Sequence, residues 1–131
     1  MQLTRFTDYA LRVLMYLGNK PGQQVTVREI ADQHQVSYNH LIKVVHKLST
    51  LGYVHSAKGR KGGISLAMTP DAINIGQVIR NMEASFQLVD CAGDAASPCM
   101  LIKNCRLKGV LDGAVDKFLQ ELDAHNLDDL L

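Results

Sequence analysis

Three cysteines, Cys91, Cys99 and Cys105, are the residues of this 131-residue chain best suited to hold a metal. Their spacing is C-x7-C-x5-C, in a loop rich in glycine, serine and proline that has little helical or strand character. Thiolates are soft ligands that bind zinc and iron well. The pattern therefore predicts a metal centre that gives the loop its shape. Buried unreactive thiols and a thiol redox switch are the alternatives.

The spacing of the cysteines bears on the kind of metal. Zinc sites usually contain cysteine pairs two to four residues apart, which this chain lacks, and three thiolates suit an iron–sulfur cluster at least as well. Three cysteines leave part of a cluster without a thiolate ligand, and a weaker fourth ligand would open it to small molecules. Asp8, Asp90, Asp94 and the histidines are the candidates, and sequence spacing does not choose among them.

The composition, 47% hydrophobic and 21% charged, is that of an ordinary globular chain. No signal peptide or membrane-spanning stretch is recognisable, so we expect a cytoplasmic protein that has no membrane partner. Disulfides are rare in the cytoplasm, and an odd number of cysteines cannot all pair within one chain. No phosphate-binding loop, paired carboxylates or nucleophile with a positioned base stands out, so an enzyme is not expected.

Charge divides the chain into two parts. Residues 1–70 contain nine Lys and Arg against three acids, a net charge of +6. Residues 71–131 contain five Lys and Arg against ten acids, a net charge of −5. A basic half suits a polyanion, which an acidic half would repel. The charges could instead belong to ordinary solvated faces.

Hydrophobic periodicity predicts three helices before the hairpin. The first runs over residues 3–18 with Gly18 as its stop, and the second opens at a capping box formed by Thr26 and Glu29. The third runs from the N-cap Ser37 to Gly52. Because the second and third are joined by about four residues, they form a candidate helix-turn-helix.

A short hairpin is predicted after the third helix, with strands at residues 53–56 and 64–68 and a mobile basic loop over 57–63. A helix-turn-helix followed by such a hairpin is the layout of a winged helix. The expected fold is mainly α with a small β-hairpin wing, and residues 1–70 are the expected DNA-binding region.

Polar and cationic side chains on this region are predicted to contact double-stranded DNA, from the major groove to the phosphates. They are Arg28, Ser37, Tyr38, Asn39, His40, Lys43, Lys47, Lys58, Arg60 and Lys61. Partial core packing is the alternative for Tyr38, and an ordinary surface position is the alternative for His40.

The second region, residues 71–131, combines a short helix ending near Glu83, the cysteine loop 91–105 and a helix over residues 104–124. The last helix is on the order of 30 Å long and extends past so small a core. Packing against its counterpart in a second copy would bury its apolar stripe, although it could also fold onto its own domain. A homodimer would place two DNA-binding units roughly 34 Å apart, which predicts a near-palindromic operator.

Several segments resemble one protein family over nearly the whole chain. They are Thr7-Asp8-Tyr9-Ala10-Leu11-Arg12, Gly52-Tyr53-Val54, Gly59-Arg60-Lys61-Gly62-Gly63 and Cys105-Arg106-Leu107, and the family they resemble is the bacterial iron–sulfur winged-helix regulators.

The resemblance implies a homodimer with crossing long helices and a 4Fe-4S or 2Fe-2S cluster. By position, Cys91, Cys99 and Cys105 would be cluster ligands, with Asp8 supplied by the other subunit. An N-terminal helix cap or a partner of the helix dipole is the alternative role for Asp8. The implied function is repression of nitric-oxide detoxification genes until nitric oxide attacks the cluster. Regulation of cluster assembly or redox stress is the alternative. The first cysteine gap, seven residues, is longer than the five of several relatives, so the type of cluster stays open.

Overall fold

The computed structural model describes residues 1–92 and 99–131. In these residues five α-helices and one antiparallel hairpin follow one another as α1 Arg5–Gly18, α2 Val27–His34, α3 Tyr38–Thr50, β1 Val54–Ala57, β2 Gly63–Leu66, α4 Ile75–Met82 and α5 Arg106–Asp123. Short 3-10 turns lie at Pro70–Ala72, Asp90–Ala92, Ile102–Asn104 and Leu127–Leu130. The predicted winged-helix fold is confirmed. Asp94, a candidate ligand, lies outside the described residues.

Side-chain caps fix the starts of the three N-terminal helices. Thr4, Thr26 and Ser37 each accept a hydrogen bond from a backbone N–H in the first turn of α1, α2 and α3. The capping box predicted at α2 is only half formed. The carboxylate of Glu29 does not return to the cap but accepts hydrogen bonds from Tyr16 and Lys20, each at 2.6 Å. An ammonium partner binds a carboxylate more strongly than a backbone amide does.

Gly18 ends α1 as predicted, but for a different reason. The residue does not adopt the left-handed backbone conformation that favours glycine at helix ends, and the cap is Asn19. A Cβ atom at position 18 would lie 2.7 Å from the side chain of Leu131. Gly18 therefore provides room for the far end of the chain to pack against α1.

One hydrophobic core joins the helices of both predicted regions. It contains fully buried residues of α1, α2, α3 and α4, among them Leu14, Ile30, Leu41 and Ile79. Leu127, in the C-terminal 3-10 turn, is also fully buried. Its backbone N–H donates to the carbonyl of Ile73 at 2.8 Å. The C-terminal turn therefore closes the core next to the start of α4.

The wing is a four-residue ladder in which Val54 pairs with Leu66 and Ala57 with Gly63. The first strand begins one residue later than predicted, because the ladder starts with the pair of Val54 and Leu66. The second strand begins and ends earlier than predicted. Val25 forms an isolated bridge with Ile64, which attaches the hairpin to the segment before α2. The wing is thus fixed to the helix-turn-helix at its base.

The C-terminal end of α5 is anchored to α4. Arg80 forms a two-pronged ion pair with Asp123, and Asn74 donates to the backbone carbonyls of Asp123 and His125 at 2.8 and 3.2 Å. The backbone of Gly76 passes so close to Asp123 that a Cβ atom there would collide with it. Helix α5, described throughout, runs from Arg106 to Asp123 and has no fully buried residue.

We expect Leu127→Ala to lower the free energy of unfolding by about 2–5 kcal/mol, because it removes a fully buried side chain from a closed core. Leu130→Ala is the matched control, since Leu130 is 45% exposed and should cost less than about 1 kcal/mol. Urea unfolding at equal protein concentration measures both. Equal effects of the two variants would show that the C-terminal turn does not belong to the core.

A candidate DNA-binding surface and the cysteine loop

Helix α3 separates an apolar face from a polar one, as predicted. Leu41, Val44, Val45 and Leu48 are buried against the core. Asn39, His40, Lys43 and Lys47, together with the cap Ser37, are exposed. The predicted contact residues of α3 other than Tyr38 therefore lie on one open surface. The spacing of the apolar residues determines this orientation, because it fixes which side of the helix faces the core.

Tyr38 combines the two roles considered for it. The side chain is half-buried and packs against the core. Its outer face carries Arg28, whose guanidinium carbon lies 3.9 Å from the ring centroid. This cation–π contact holds the arginine of α2 over the first turn of α3. Arg28 itself is exposed, so its charge remains on the surface of the helix-turn-helix.

Arg5 is a cationic residue of this surface that the sequence reasoning did not single out. A small cleft of 180 Å³ separates the start of α1 from α3. It is lined by Arg5, Phe6, Tyr9, His40, Lys43 and Val44. The signal in the sequence was a basic residue directly after the N-cap of the first helix. What it could not reveal is that α1 starts beside α3.

The three cations of the wing, Lys58, Arg60 and Lys61, are all exposed in the loop between β1 and β2. Gly59 has a φ of 103°, and a Cβ atom on Gly62 would collide with the carbonyl of Ala57. The glycines thus permit a tight turn that presents the three cations together. The loop is one residue shorter at each end than predicted, because Ala57 and Gly63 belong to the strands.

All three cysteines precede α5 in the chain, and Cys105 is the residue directly before it. Cys91 and Cys105 are half-buried, and the Sγ atom of Cys105 accepts a hydrogen bond from the backbone N–H of Lys108 at 3.4 Å, as the N-cap of α5. A hydrogen bond to Asp112 raises the pKa of the Lys108 ammonium group, and electrostatic interaction with Cys91 and Cys105 raises it further. Cys99 is also half-buried.

The three cysteines do not converge on one point within the part of the chain that the structure describes. Within residues 1–92 and 99–131, no three His, Cys, Asp or Glu side chains lie close enough together to hold a metal ion. The donors themselves fit an iron–sulfur cluster, since they are partly accessible thiols and one of them already accepts a backbone N–H, the contact that tunes cluster sulfurs.

Asp8 is exposed at 44% and lies on the first turns of α1. Its carboxylate forms a two-pronged pair with Arg12, at 3.1 Å to Nε and 3.0 Å to the second guanidinium nitrogen. It does not cap α1, a role that Thr4 fills. An exposed carboxylate held by one arginine at a helix surface is free to meet a second molecule, since the ion pair is only partly shielded from water.

Glu83, directly after α4, is a second residue that sequence reasoning missed. Its carboxylate accepts hydrogen bonds from the backbone N–H and hydroxyl of Thr4, both at 3.1 Å, and from the hydroxyl of Thr7 at 2.5 Å. In the part of the chain that the structure describes, Thr7 is the one buried polar residue. No spacing in the sequence links positions 76 residues apart, so tertiary contact alone reveals the cluster.

The apolar stripe of α5 is largely uncovered. Leu107, Val110 and Phe118 are 61%, 68% and 38% exposed. A cleft of 450 Å³ lies between α5, the N-terminal residues and the segment after α4, and Phe86 and Phe118 are among its lining residues. So large an exposed apolar area is typical of a surface that meets another protein.

Comparisons with known proteins all point to transcriptional regulators. The profile of the Rrf2 family, described as "Iron-dependent Transcriptional regulator", matches residues 3–131. A relative from Shouchella clausii, named HTH-type transcriptional regulator NsrR, is 46% identical over 132 residues, covering all of this chain and 89% of the relative. The NsrR of Bacillus subtilis strain 168 is 43% identical, covering all of this chain and 90% of the relative.

Solved structures share the fold. CymR of B. subtilis, titled the global cysteine regulator, is 27% identical with a TM-score of 0.72, covering 99% of this chain and 95% of CymR. IscR of T. potens is 23% identical with a TM-score of 0.79, covering 99% of this chain and 85% of IscR. No helix among the residues described here is long and apolar enough to cross a membrane.

Proposed function

The chain belongs to the Rrf2 family of transcriptional regulators, and from that premise we propose that it is a repressor that senses nitric oxide through an iron–sulfur cluster. Bound to a near-palindromic operator as a homodimer, it would keep nitric-oxide detoxification genes silent until nitric oxide releases it. Its relatives are named transcriptional regulators, and an enzymatic role is not among their names.

The observation that carries this proposal is the placement of the thiols before the N-terminal end of α5. Cys105 caps the helix, and Cys91 follows the segment 85–89, which lines a cleft with Leu111 and Val115 of the same helix. The same helix exposes its apolar stripe to a partner. A group bound by these thiols would therefore act directly on the orientation of the helix that joins two subunits.

Cys91, Cys99 and Cys105 would hold the cluster, whose bound form supplies a centre that nitric oxide attacks. Three thiolates leave part of a cluster without a cysteine ligand, so a fourth ligand must come from elsewhere. We propose that the partner subunit's Asp8 fills that position. Asp8 is exposed on α1 and its present partner, Arg12, is on the same helix, so both could reach across an interface.

The exposed stripe of α5 supports the dimer. Leu107, Val110 and Phe118 lie at helical spacing on one face and are poorly covered by their own chain. Packing two such helices against each other buries these side chains without any change in the core. Ligation by Asp8 would further require α1 of one subunit to lie near the cysteine loop of the other.

On the DNA side, α3 would enter the major groove with Ser37, Asn39, His40 and Lys43 toward base edges. Arg5, Arg28 and Lys47 flank this helix and would contact phosphates, while Lys58, Arg60 and Lys61 of the wing would reach the adjacent minor groove. Arg5 extends the set expected from the sequence.

Anaerobic purification tests the proposal. We expect a coloured protein with iron and sulfide in comparable amounts, tight operator binding in a gel shift, and loss of that binding after stoichiometric nitric oxide. A colourless protein that contains zinc and ignores nitric oxide would overturn it. A colourless, metal-free protein whose binding follows thiol oxidation would identify a thiol switch instead.

A further inference from the structure

Glu83 connects the start of α1 to the end of α4 through a compact set of hydrogen bonds. Three donors, two from Thr4 and one from Thr7, converge on one carboxylate. A carboxylate at a helix N-terminus is favoured by the helix dipole. Because the Thr7 hydroxyl is buried, loss of its acceptor would leave a polar group poorly satisfied.

The segment that follows Glu83 leads to the cysteines along α5. Residues 85–89 line a cleft of 410 Å³ together with Leu111 and Val115 of α5. Phe86 also packs against the core. The segment ends in the 3-10 turn that contains Cys91. The chain that begins at Glu83 therefore lies beside the cleft along α5 and leads directly to Cys91.

On its other side, the start of α1 touches the candidate recognition helix. Arg5, Phe6 and Tyr9 of α1 line one cleft with His40 and Lys43 of α3. Glu83 accepts hydrogen bonds from Thr4 and Thr7, which are the N-cap and a first-turn residue of α1. A shift of this helix end would thus change where His40 and Lys43 stand relative to Arg5.

We propose that Glu83 is a positioning residue that transmits the state of the cysteine loop to α3 within one subunit, by fixing the start of α1. This inference rests on the proposed function, because the signal it carries is the presence of the cluster. The path is separate from ligation by Asp8, since it needs no contact between subunits. It predicts that Glu83 sets the difference in operator affinity between the cluster-loaded and the cluster-free protein, rather than the affinity of either form.

The first test compares operator affinity of cluster-loaded and cluster-free protein. For the wild type the ratio is expected in the range of about 5- to 150-fold, and for Glu83→Ala it should fall to within about twofold of one at unchanged iron content. Glu121→Ala, which removes a carboxylate that is 79% exposed, is the matched control and should keep the wild-type ratio. A Glu83→Ala ratio equal to that of the wild type would overturn the proposal.

A second test uses cluster-free protein alone, so that it decides the inference even if no cluster is found. Hydrogen exchange of Glu83→Ala should increase at least about fivefold at the start of α1 and also at residues 38–43 of α3. An increase confined to α1 would show that Glu83 only caps that helix and would refute the relay. Thr7→Val, which loses the 2.5 Å contact but keeps Glu83, should give the same pattern and replaces the first variant if that one does not fold.

Discussion

Replacing Cys105 with serine is expected to leave a folded dimer that contains almost no iron or sulfide and no longer responds to nitric oxide. Serine oxygen is a hard ligand and replaces a thiolate poorly at iron. The hydroxyl can still accept the N–H of Lys108, so α5 keeps its cap and the fold is preserved. Operator affinity should fall to that of cluster-free wild type, about tenfold or more. Iron and sulfide counts, circular dichroism and gel shifts measure these effects.

Two carboxylate variants complete the experiment. Asp8→Asn should allow a cluster to form but shorten its lifetime, because the proposed fourth ligand is lost. Asp90→Asn, next to Cys91, is the matched control and should leave that lifetime unchanged. The opposite result would assign the fourth position to Asp90. A Cys105→Ser protein with normal iron content would remove the cysteines from the proposal altogether.

Lys43→Ala and Arg60→Ala form the second large effect, on DNA binding itself. Each is expected to weaken operator binding by about 1–2 kcal/mol, roughly tenfold, since each removes an exposed cation from a basic surface. If the lost contact is to a phosphate, the dependence of affinity on salt concentration should decrease by about 0.9 per cation removed. Arg5→Ala should behave as a phosphate contact. Fluorescence anisotropy across a salt series measures affinity and slope together.

Lys117→Ala is the control for these variants, because Lys117 is equally exposed but lies on α5, away from the helix-turn-helix. Its affinity and salt slope should match the wild type. If Lys117→Ala lowered affinity as much as Lys43→Ala, net charge rather than a specific surface would control binding.

Local patterns predicted most of the fold. Ser37 and Thr26 had the types of helix caps and proved to be caps, and the apolar residues of α3 predicted which face would be buried. Such features depend on neighbours within one helical turn. Glycine spacing around Arg60 likewise predicted the turn of the wing, because the backbone conformation there is a local requirement.

Contacts between segments that are distant in the sequence could not be predicted from these local patterns. The burial of Leu127, the role of Glu83 and the place of Arg5 beside α3 all require that remote parts of the chain meet. The half-formed capping box has the same origin, since Glu29 found Lys20 and Tyr16 on other elements. For the proposed cluster, ligation by the three cysteines stays a prediction from their spacing, and a ligand supplied by another subunit has no signature in the order of one chain.

Among the described residues, the ion pair and hydrogen bonds that join α5 to α4 and its N-cap lie at the C-terminal end of α5, so the helix can tilt about that end. Arg80 and Asn74 fix its C-terminal end at Asp123, whereas its first turn carries Cys105. An 18-residue helix is about 27 Å long, so a 2 Å displacement at Cys105 is a tilt of roughly 4° about that fixed end. In the proposed homodimer with crossing α5 helices, a small displacement at the thiols would therefore change the angle between the two subunits. The crossing angle of α5 is therefore the quantity to compare between cluster-loaded and cluster-free protein.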